Sequence, residues 1–224
     1  MKSCKPCNIK PSNKSILLPF IIIFSLIICS CNKTHLKQHK NIHGKIVIAT
    51  LTDREKILVS GMGAQSSYIF DITLKDKDVT WIDFWVDHYE KGVLKSVALS
   101  GGVEINFKDK KEKKATLIFS IQDNPDNKKE EKWILSYNES FGASFSKIIL
   151  KDKETNMSAS IGNNNIEIVK DKNLNLAAIR QGKNSNGFSA GIFGDAQSAL
   201  DEIRETDHVY MLRCKFSHKA DRNK

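Results

Sequence analysis

Apolar and polar positions alternate with a short period along most of the chain after residue 44. Runs rich in Ile, Val, Phe, Trp and Thr are separated by polar turns such as Glu90-Lys91-Gly92 and 123–127. Many short strands with tight connections are typical of an antiparallel sheet folded on itself. The pattern therefore predicts a mainly β fold, an antiparallel β-sandwich or barrel-like domain. The predicted strands cover 45–51, 56–60, 67–74, 79–89, 93–99, 103–107, 115–121, 132–137, 144–151, 157–161, 165–169, 174–180 and 208–216.

One segment near the C-terminus has helical periodicity instead. Ala196, Ala199, Leu200 and Ile203 recur at the spacing of one helix face, and Asp195 can cap the start. We expect one short helix here, packed beside the sheet before the last strand. Strands do not alternate with long helices along the chain, which disfavours a doubly wound nucleotide-binding fold.

The first thirty residues follow a third pattern. A basic start without acidic residues precedes an apolar run over 16–29, interrupted only by Pro19 and Ser25. The run is short for a bilayer span, and a basic start before a short apolar core is typical of an export signal. The basic residues are Lys2, Lys5, Lys10 and Lys14.

The end of this run, Ile28-Cys29-Ser30-Cys31, resembles the lipobox of bacterial lipoproteins. Ile28 stands three positions and Ser30 one position before Cys31. The resemblance implies that Cys31 receives the lipid and that the protein is anchored to the cell membrane on its extracytoplasmic face. Cys29 is the alternative acceptor, although the bulky Ile28 would then directly precede the cleavage site.

A weaker resemblance concerns the rest of the chain. Its Lys-, Asn- and Ile-rich composition and its ending over 210–216 are similar to uncharacterised lipoproteins of low-GC Gram-positive bacteria. This resemblance implies no active site.

The chain of 224 residues divides into four predicted segments. Residues 1–30 form the signal peptide, and 31–44 form a tether with too few aliphatic side chains to order itself. Residues 45–217 are long enough for one β-rich globular domain. Residues 218–224 form a basic tail.

The formal charge of +9 is concentrated at the two ends of the chain. Seven positive charges lie in the first 44 residues and a net four lie in the last twelve, so residues 45–212 carry −2. A nucleic-acid-binding domain would carry clustered basic charge on its folded body, so this class is excluded. Basic charge beside a lipid instead favours contact with an anionic membrane surface or wall polymer.

Cysteine and histidine positions bear on metals and cofactors. Cys214 is the single cysteine outside the signal peptide and the lipid site, and one thiol cannot form an internal disulfide. His35, His39 and His43 recur every fourth residue and would share a helix face, but they lie in the predicted tether. Unordered ligands rarely form a metal site, so we expect no metal and no cofactor.

The strand over 80–89 carries the candidate ligand surface. With a period of two, Ile82, Phe84, Val86 and His88 form an ordinary core face. The opposite face alternates aromatic rings with carboxylates, an arrangement that suits sugar rings. The alternative is that these rings pack beneath a loop or pair across strands. This candidate face consists of Trp81, Asp83, Trp85, Asp87 and Tyr89.

The motifs do not indicate an enzyme. Gly61-Met62-Gly63 precedes a strand pattern where a dinucleotide-binding loop requires a helix, so a turn or bulge is favoured. Asp83 and Asp87 could act as paired carboxylates in glycoside cleavage, but many surface pairs lie at such distances. We therefore expect a non-enzymatic, membrane-anchored lipoprotein that binds an envelope protein or other envelope component, with carbohydrate or wall-polymer binding as the alternative.

Overall fold

The computed structural model describes residues 41–107, 111–127, 129–138, 143–150, 156–161, 165–182 and 203–219. All of these residues belong to one compact unit, Lys40–Lys224. The predicted signal peptide, the predicted lipid site and the first part of the predicted tether lie outside the described residues.

The predicted mainly β fold is confirmed, and its two antiparallel sheets do not close into a barrel. Among the described residues there are eleven strands and one complete helix. The strands are β1 Gly44–Ile48, β2 Ala64–Leu74, β3 Trp81–Glu90, β4 Val93–Glu104, β5 Lys113–Asp123, β6 Glu130–Asn138, β7 Ala143–Leu150, β8 Asn156–Ile161, β9 Ile166–Ile168, β10 Asn173–Gly182 and β11 His208–Ser217; the helix is α1 Asp53–Gly61.

The two sheets pack face to face around a single large core. Sheet I has the strand order β7-β6-β5-β2-β1-β9, and sheet II has the order β4-β3-β11-β10-β8. Aromatic side chains join the sheets across the core: Phe84 of β3 lies 5.6 Å from Tyr137 of β6, between ring centroids. The predicted core residues Ile82, Phe84 and Val86 are all buried, so the inner face of β3 is confirmed.

The prediction of a strand over 56–60 is wrong, because these residues belong to α1. Thr52 and Glu55 form a capping box, in which each side chain accepts a hydrogen bond from the other residue's backbone N–H. The apolar run Ile57-Leu58-Val59 resembles a strand in sequence, yet α1 has no buried residue. Local capping therefore decides the conformation here.

Two predicted strands, 93–99 and 103–107, are largely one strand. β4 continues through Gly101 and Gly102, and residues 105–107 lie beyond its end. The paired glycines are required for packing: a Cβ on Gly101 would lie 2.4 Å from the Phe145 ring of β7. The edges of the two sheets meet at this point.

The predicted helix near the C-terminus lies outside the described residues except for its last position. Ile203 is helical and buried, packed against the outer face of sheet II. The hairpin turn between β3 and β4 is confirmed, with Lys91 and Gly92 both at positive φ. Such angles define the tight hairpin turn in which glycine is favoured.

The strand register distinguishes two ends of the sandwich. At one end, which we call the entry end, Gly44, Leu74 and Lys113 are paired in register on three neighbouring strands. At the opposite or far end lie α1 and the β3–β4 turn, since β2 begins there and β3 finishes there.

Candidate functional site

The five residues of the predicted ligand face lie together on the outer face of sheet II. The opposing strand β11 places Lys215 beside Asp83, Arg213 beside Trp85 and Met211 beside Asp87. The structure divides this face into two halves with different surroundings. The half with Asp87 and Tyr89 is at the far end, and the half with Trp81 and Asp83 is at the entry end.

The far half is buried and its polar groups are paired. Asp87 is 5 % exposed and receives the Arg213 guanidinium, with 2.9 Å between Nη1 and Oδ2. The same guanidinium contacts the Met211 sulfur and lies 5.7 Å from the centre of the Tyr89 ring. Burial raises the pKa of the Tyr89 phenol. Tyr89 packs in a small apolar cluster with Ile203, so the aromatic side chain of this half is used in packing.

The entry half is only partly buried, and the indole ring of Trp81 is held in one position. The Trp81 indole N–H donates to Asp83 Oδ1 at 2.9 Å. The same ring edge fills the space beside Gly102 of β4, where a Cβ would lie 2.7 Å from Trp81 Cζ2. Trp85 follows four residues after Trp81 on the same face and is also half-buried. Trp81, Asp83 and Trp85 thus form a partly exposed aromatic surface in which the Trp81 ring is held in place, and we call it the Trp81 surface.

Two histidines that are far apart in the sequence meet on the inner side of the far end. His88 Nε2 and His208 Nδ1 are 3.1 Å apart, although 120 positions separate the residues. His88 also stacks on Tyr210, with ring centroids 4.4 Å apart and an interplanar angle of 9°. Burial, and then the nearby His208, lower the pKa of His88.

This histidine pair continues into a series of contacting rings across the core. Tyr210 meets the edge of Trp133 at 4.8 Å, and the buried Glu131 accepts a hydrogen bond from the Trp133 indole. No sequence motif indicates the pair, because antiparallel pairing of β3 with β11 alone brings the rings together. Its position beside the packed core indicates a structural role.

Metal ligation receives no support from the described residues. They contain no group of three or more His, Cys, Asp or Glu side chains arranged to hold an ion. Of the three tether histidines only His43 is described, and it is buried and paired with Asp76 Oδ2. The backbone N–H of Asp78, and to a lesser degree His43, hold the pKa of the Asp76 carboxyl below its usual value. His43 and Gly44, which the sequence assigned to the tether, therefore belong to the folded domain.

The predicted lipid acceptor Cys31, its alternative Cys29, and His35 and His39 lie outside the described residues. None of the helical segments in the described part of the chain has the length and hydropathy needed to cross a bilayer. Cys214 is a buried free thiol, and burial raises its pKa.

The protein is therefore a two-sheet antiparallel β-sandwich, and one of its outer faces has a strand with partly exposed aromatic side chains. A family model described as the YgaN domain matches residues 45–216. This match covers most of the chain, so the chain belongs to the YgaN domain family. A search of curated proteins finds no match.

Proposed function

We propose that this protein is a lipid-anchored extracytoplasmic lipoprotein with a non-enzymatic binding role. Its ligand surface is the Trp81 surface, and the ligand class that this surface fits best is an envelope glycan. The observation that carries the proposal is the fixed position of the Trp81 ring. Its indole N–H is bound to Asp83, and its edge lies against Gly102.

A pre-positioned ring favours ligand binding because less conformational entropy is lost when the complex forms. Aromatic faces stack on the C–H groups of sugar rings, while a carboxylate accepts hydrogen bonds from hydroxyl groups. Trp81 and Trp85 are four residues apart on one face of β3, a spacing of about 13 Å at about 3.3 Å per residue. A glycan chain lying along β3 can therefore contact both rings, with Asp83 between them.

The glycan proposal is tested by titrating the purified full-length protein with soluble cell-wall glycan fragments while following tryptophan emission. Trp133 is fully buried, so a ligand-dependent change reports on the other two indoles. We expect a saturable change that Trp81→Ala or Trp85→Ala abolishes. Leu94→Ala, an exposed position elsewhere in sheet II, is the control and should bind normally. No response to any glycan would exclude this ligand class.

Membrane anchoring is tested by incorporation of labelled palmitate in the native host. Cys31→Ala should abolish labelling and leave uncleaved or mislocalised precursor, whereas Cys29→Ala should retain labelling. Labelled Cys31→Ala protein would show that the lipobox has been assigned incorrectly. This experiment does not depend on the Trp81 surface. The proposal of a lipid anchor and the proposal of a glycan ligand can therefore be refuted separately.

A second candidate is a protein partner at the far end, favoured by exposed apolar side chains on α1 and on the first part of β4. Clusters of exposed apolar residues often mark interaction sites. A photo-crosslinking residue at Leu58 or Leu94 should capture one discrete envelope protein, and one at the exposed Lys172 should not. Equal capture from all three positions would remove this candidate. The exposed apolar residues are Ile57, Leu58, Met62, Val93, Leu94 and Val97.

A further inference from the structure

The outer face of sheet I contains a polar groove that lies on the other side of the molecule's core from the Trp81 surface. Its volume is about 510 Å³, within the range of small-molecule sites. It crosses β1, β2 and β5 and reaches the last residue of β6. Two rows of side chains, defined by strand pairing, form its lining.

The first row is cationic. Lys45, Thr73 and Lys114 are paired in register on three adjacent strands, so the threonine hydroxyl lies between two lysines. The backbones of the outer two strands are about 10 Å apart, because neighbouring strands are separated by about 4.8 Å. Lysine side chains from both sides can therefore reach an anion above Thr73. Lys114 forms an exposed ion pair with Glu112, with 3.6 Å between Nζ and Oε1.

The second row carries hydrogen-bonding side chains, with Val47 of β1 beside them. Two positions along the strands, Asp71, Thr116 and Asn138 are paired in register, and Thr116 Oγ1 donates to Asp71 Oδ1 at 3.3 Å. A carboxylate, a hydroxyl and an amide together can accept from and donate to a polyol. The rows are about 7 Å apart, so one small ligand can contact both.

The two groove lysines are set among both acidic and hydrogen-bonding groups. The lining has two lysines and one aspartate, Glu167 is paired in register with Lys45, and Glu112 lies 3.6 Å from Lys114. The two ammonium groups are therefore a local pair of cations beside hydrogen-bonding groups and not part of a positively charged surface. Lysine is a common point-charge ligand of phosphate. An anion that also carries hydroxyl groups matches both rows, whereas a neutral sugar would leave the lysines unused.

We propose that this groove binds a phosphorylated polyol, such as a glycerol phosphate unit. The phosphate lies between Lys45 and Lys114, and the polyol hydroxyls contact Asp71 and its neighbours. The same chemistry occurs in a water-soluble phosphate ester and in a membrane phospholipid headgroup. This inference goes beyond the proposed function and depends on none of the residues of the Trp81 surface.

The test is calorimetric titration of the purified full-length chain in neutral detergent at low ionic strength. The probes are sn-glycerol 3-phosphate, inorganic phosphate and glycerol. We expect saturable binding of glycerol phosphate, at least fivefold tighter than inorganic phosphate, and no binding of glycerol. The double variant Lys45→Gln/Lys114→Gln should bind at least tenfold more weakly. Asp71→Asn should reduce the preference for glycerol phosphate over inorganic phosphate.

The matched control is Lys132→Gln, which removes an exposed positive charge from the same face of sheet I, six positions along β6 from Asn138. It should change the affinity less than twofold. A loss equal to that of the double variant would overturn the proposal, because the binding would then reflect general surface charge. Equal affinity for inorganic phosphate and glycerol phosphate would overturn it too, because the second row would have no role.

A further probe, dihexanoylphosphatidylglycerol below its micelle concentration, separates the two sources of the ligand. Binding of this lipid as tightly as glycerol phosphate, with the same dependence on the lysines, identifies a lipid headgroup. Binding of glycerol phosphate alone identifies a water-soluble ester or polymer unit. If wild-type protein binds neither probe, the proposal is wrong. All substituted residues are exposed, and far-UV circular dichroism checks that each variant is folded.

Discussion

Neighbouring positions on β3 have opposite surroundings, and this difference sets the effect of a substitution. Phe84 is 1 % exposed and packs against Tyr137, while Trp85 is half-buried on the outer face. A packed ring contributes both apolar burial and contacts that no neighbour can replace. A half-exposed ring keeps much of its contact with water when the protein folds.

We expect Phe84→Ala to lower the free energy of unfolding by about 3–5 kcal/mol, the usual loss for a large ring in a packed core. Trp85→Ala should cost about 1 kcal/mol, typical of a substitution outside the core. Chemical unfolding of both variants measures the difference. Equal losses would mean that β3 is buried on both faces, and the Trp81 surface could not then bind a ligand.

The histidine pair predicts a pH dependence of stability. Because the folded protein lowers the pKa of His88 by burial, the unfolded chain binds a proton more readily between that pKa and about 6.5. The free energy of unfolding should therefore fall as the pH decreases from about 7.5 to about 5. His88→Phe should flatten this profile, which chemical unfolding at a series of pH values measures. Identical slopes for the wild-type protein and this variant would contradict the assignment.

At the scale of elements, the stability of α1 depends on its N-terminal cap more than on packing. It has no buried residue, and Thr52 takes part in both hydrogen bonds of the capping box with Glu55. The backbone N–H of Thr52 lowers the pKa of Glu55. The helix can therefore open locally while the sheets remain intact.

Thr52→Ala should destabilise α1 by about 1 kcal/mol, the usual effect of losing an N-cap. Hydrogen exchange of the amides over 55–60 should become faster, and the midpoint of global unfolding should not move. Thr116→Ala, a threonine in β5, provides the comparison and should leave exchange in α1 unchanged. A large shift of the global midpoint by Thr52→Ala would mean that α1 packs more tightly than the structure indicates.

The junction between the sheet edges is sensitive to a single methyl group. Gly101→Ala would place a Cβ 2.4 Å from the Phe145 ring, so the ring or the strand must shift. We expect a loss of about 1–3 kcal/mol in the free energy of unfolding, as for other overpacked cores. Gly61→Ala is the matched control: no atom would lie within 4 Å of the added methyl group, and alanine favours the helix. Chemical unfolding measures both variants. If Gly101→Ala and Gly61→Ala have equal stabilities, close packing at the junction is excluded.

At the scale of the whole molecule, the two sheets share one core without a disulfide among the described residues. We therefore expect residues 41–219 to fold without the preceding forty residues. This fragment should give a strand-dominated far-UV spectrum and melt cooperatively with or without reductant and chelator. A helical spectrum, or a melting point that chelator lowers, would contradict this expectation.

Local patterns in the sequence were sufficient to predict the fold class, the inner face of β3 and the β3–β4 turn. Period-two alternation fixes which side chains share a face, and Gly92 permits the positive φ of the turn. Local information was incomplete at α1, where a strand was predicted over 56–60, and at Gly101, where the sequence was divided into two strands, 93–99 and 103–107. At α1 the capping box of Thr52 and Glu55 favours the helix. At Gly101 the Phe145 ring of β7 occupies the space that a side chain would need.

The division of the candidate face into a buried and a partly exposed half depends on tertiary contacts. Alternation shows that Trp81 and Asp87 share a face, but it does not show which part of that face another segment covers. In the Asp87 half, Ile203 packs in one cluster with Tyr89, which lies more than a hundred positions earlier in the sequence. The pairing of His88 with His208 and the two rows of the polar groove arise in the same way. Strand order and register bring these residues together, and neither quantity is encoded in the local pattern of a single strand.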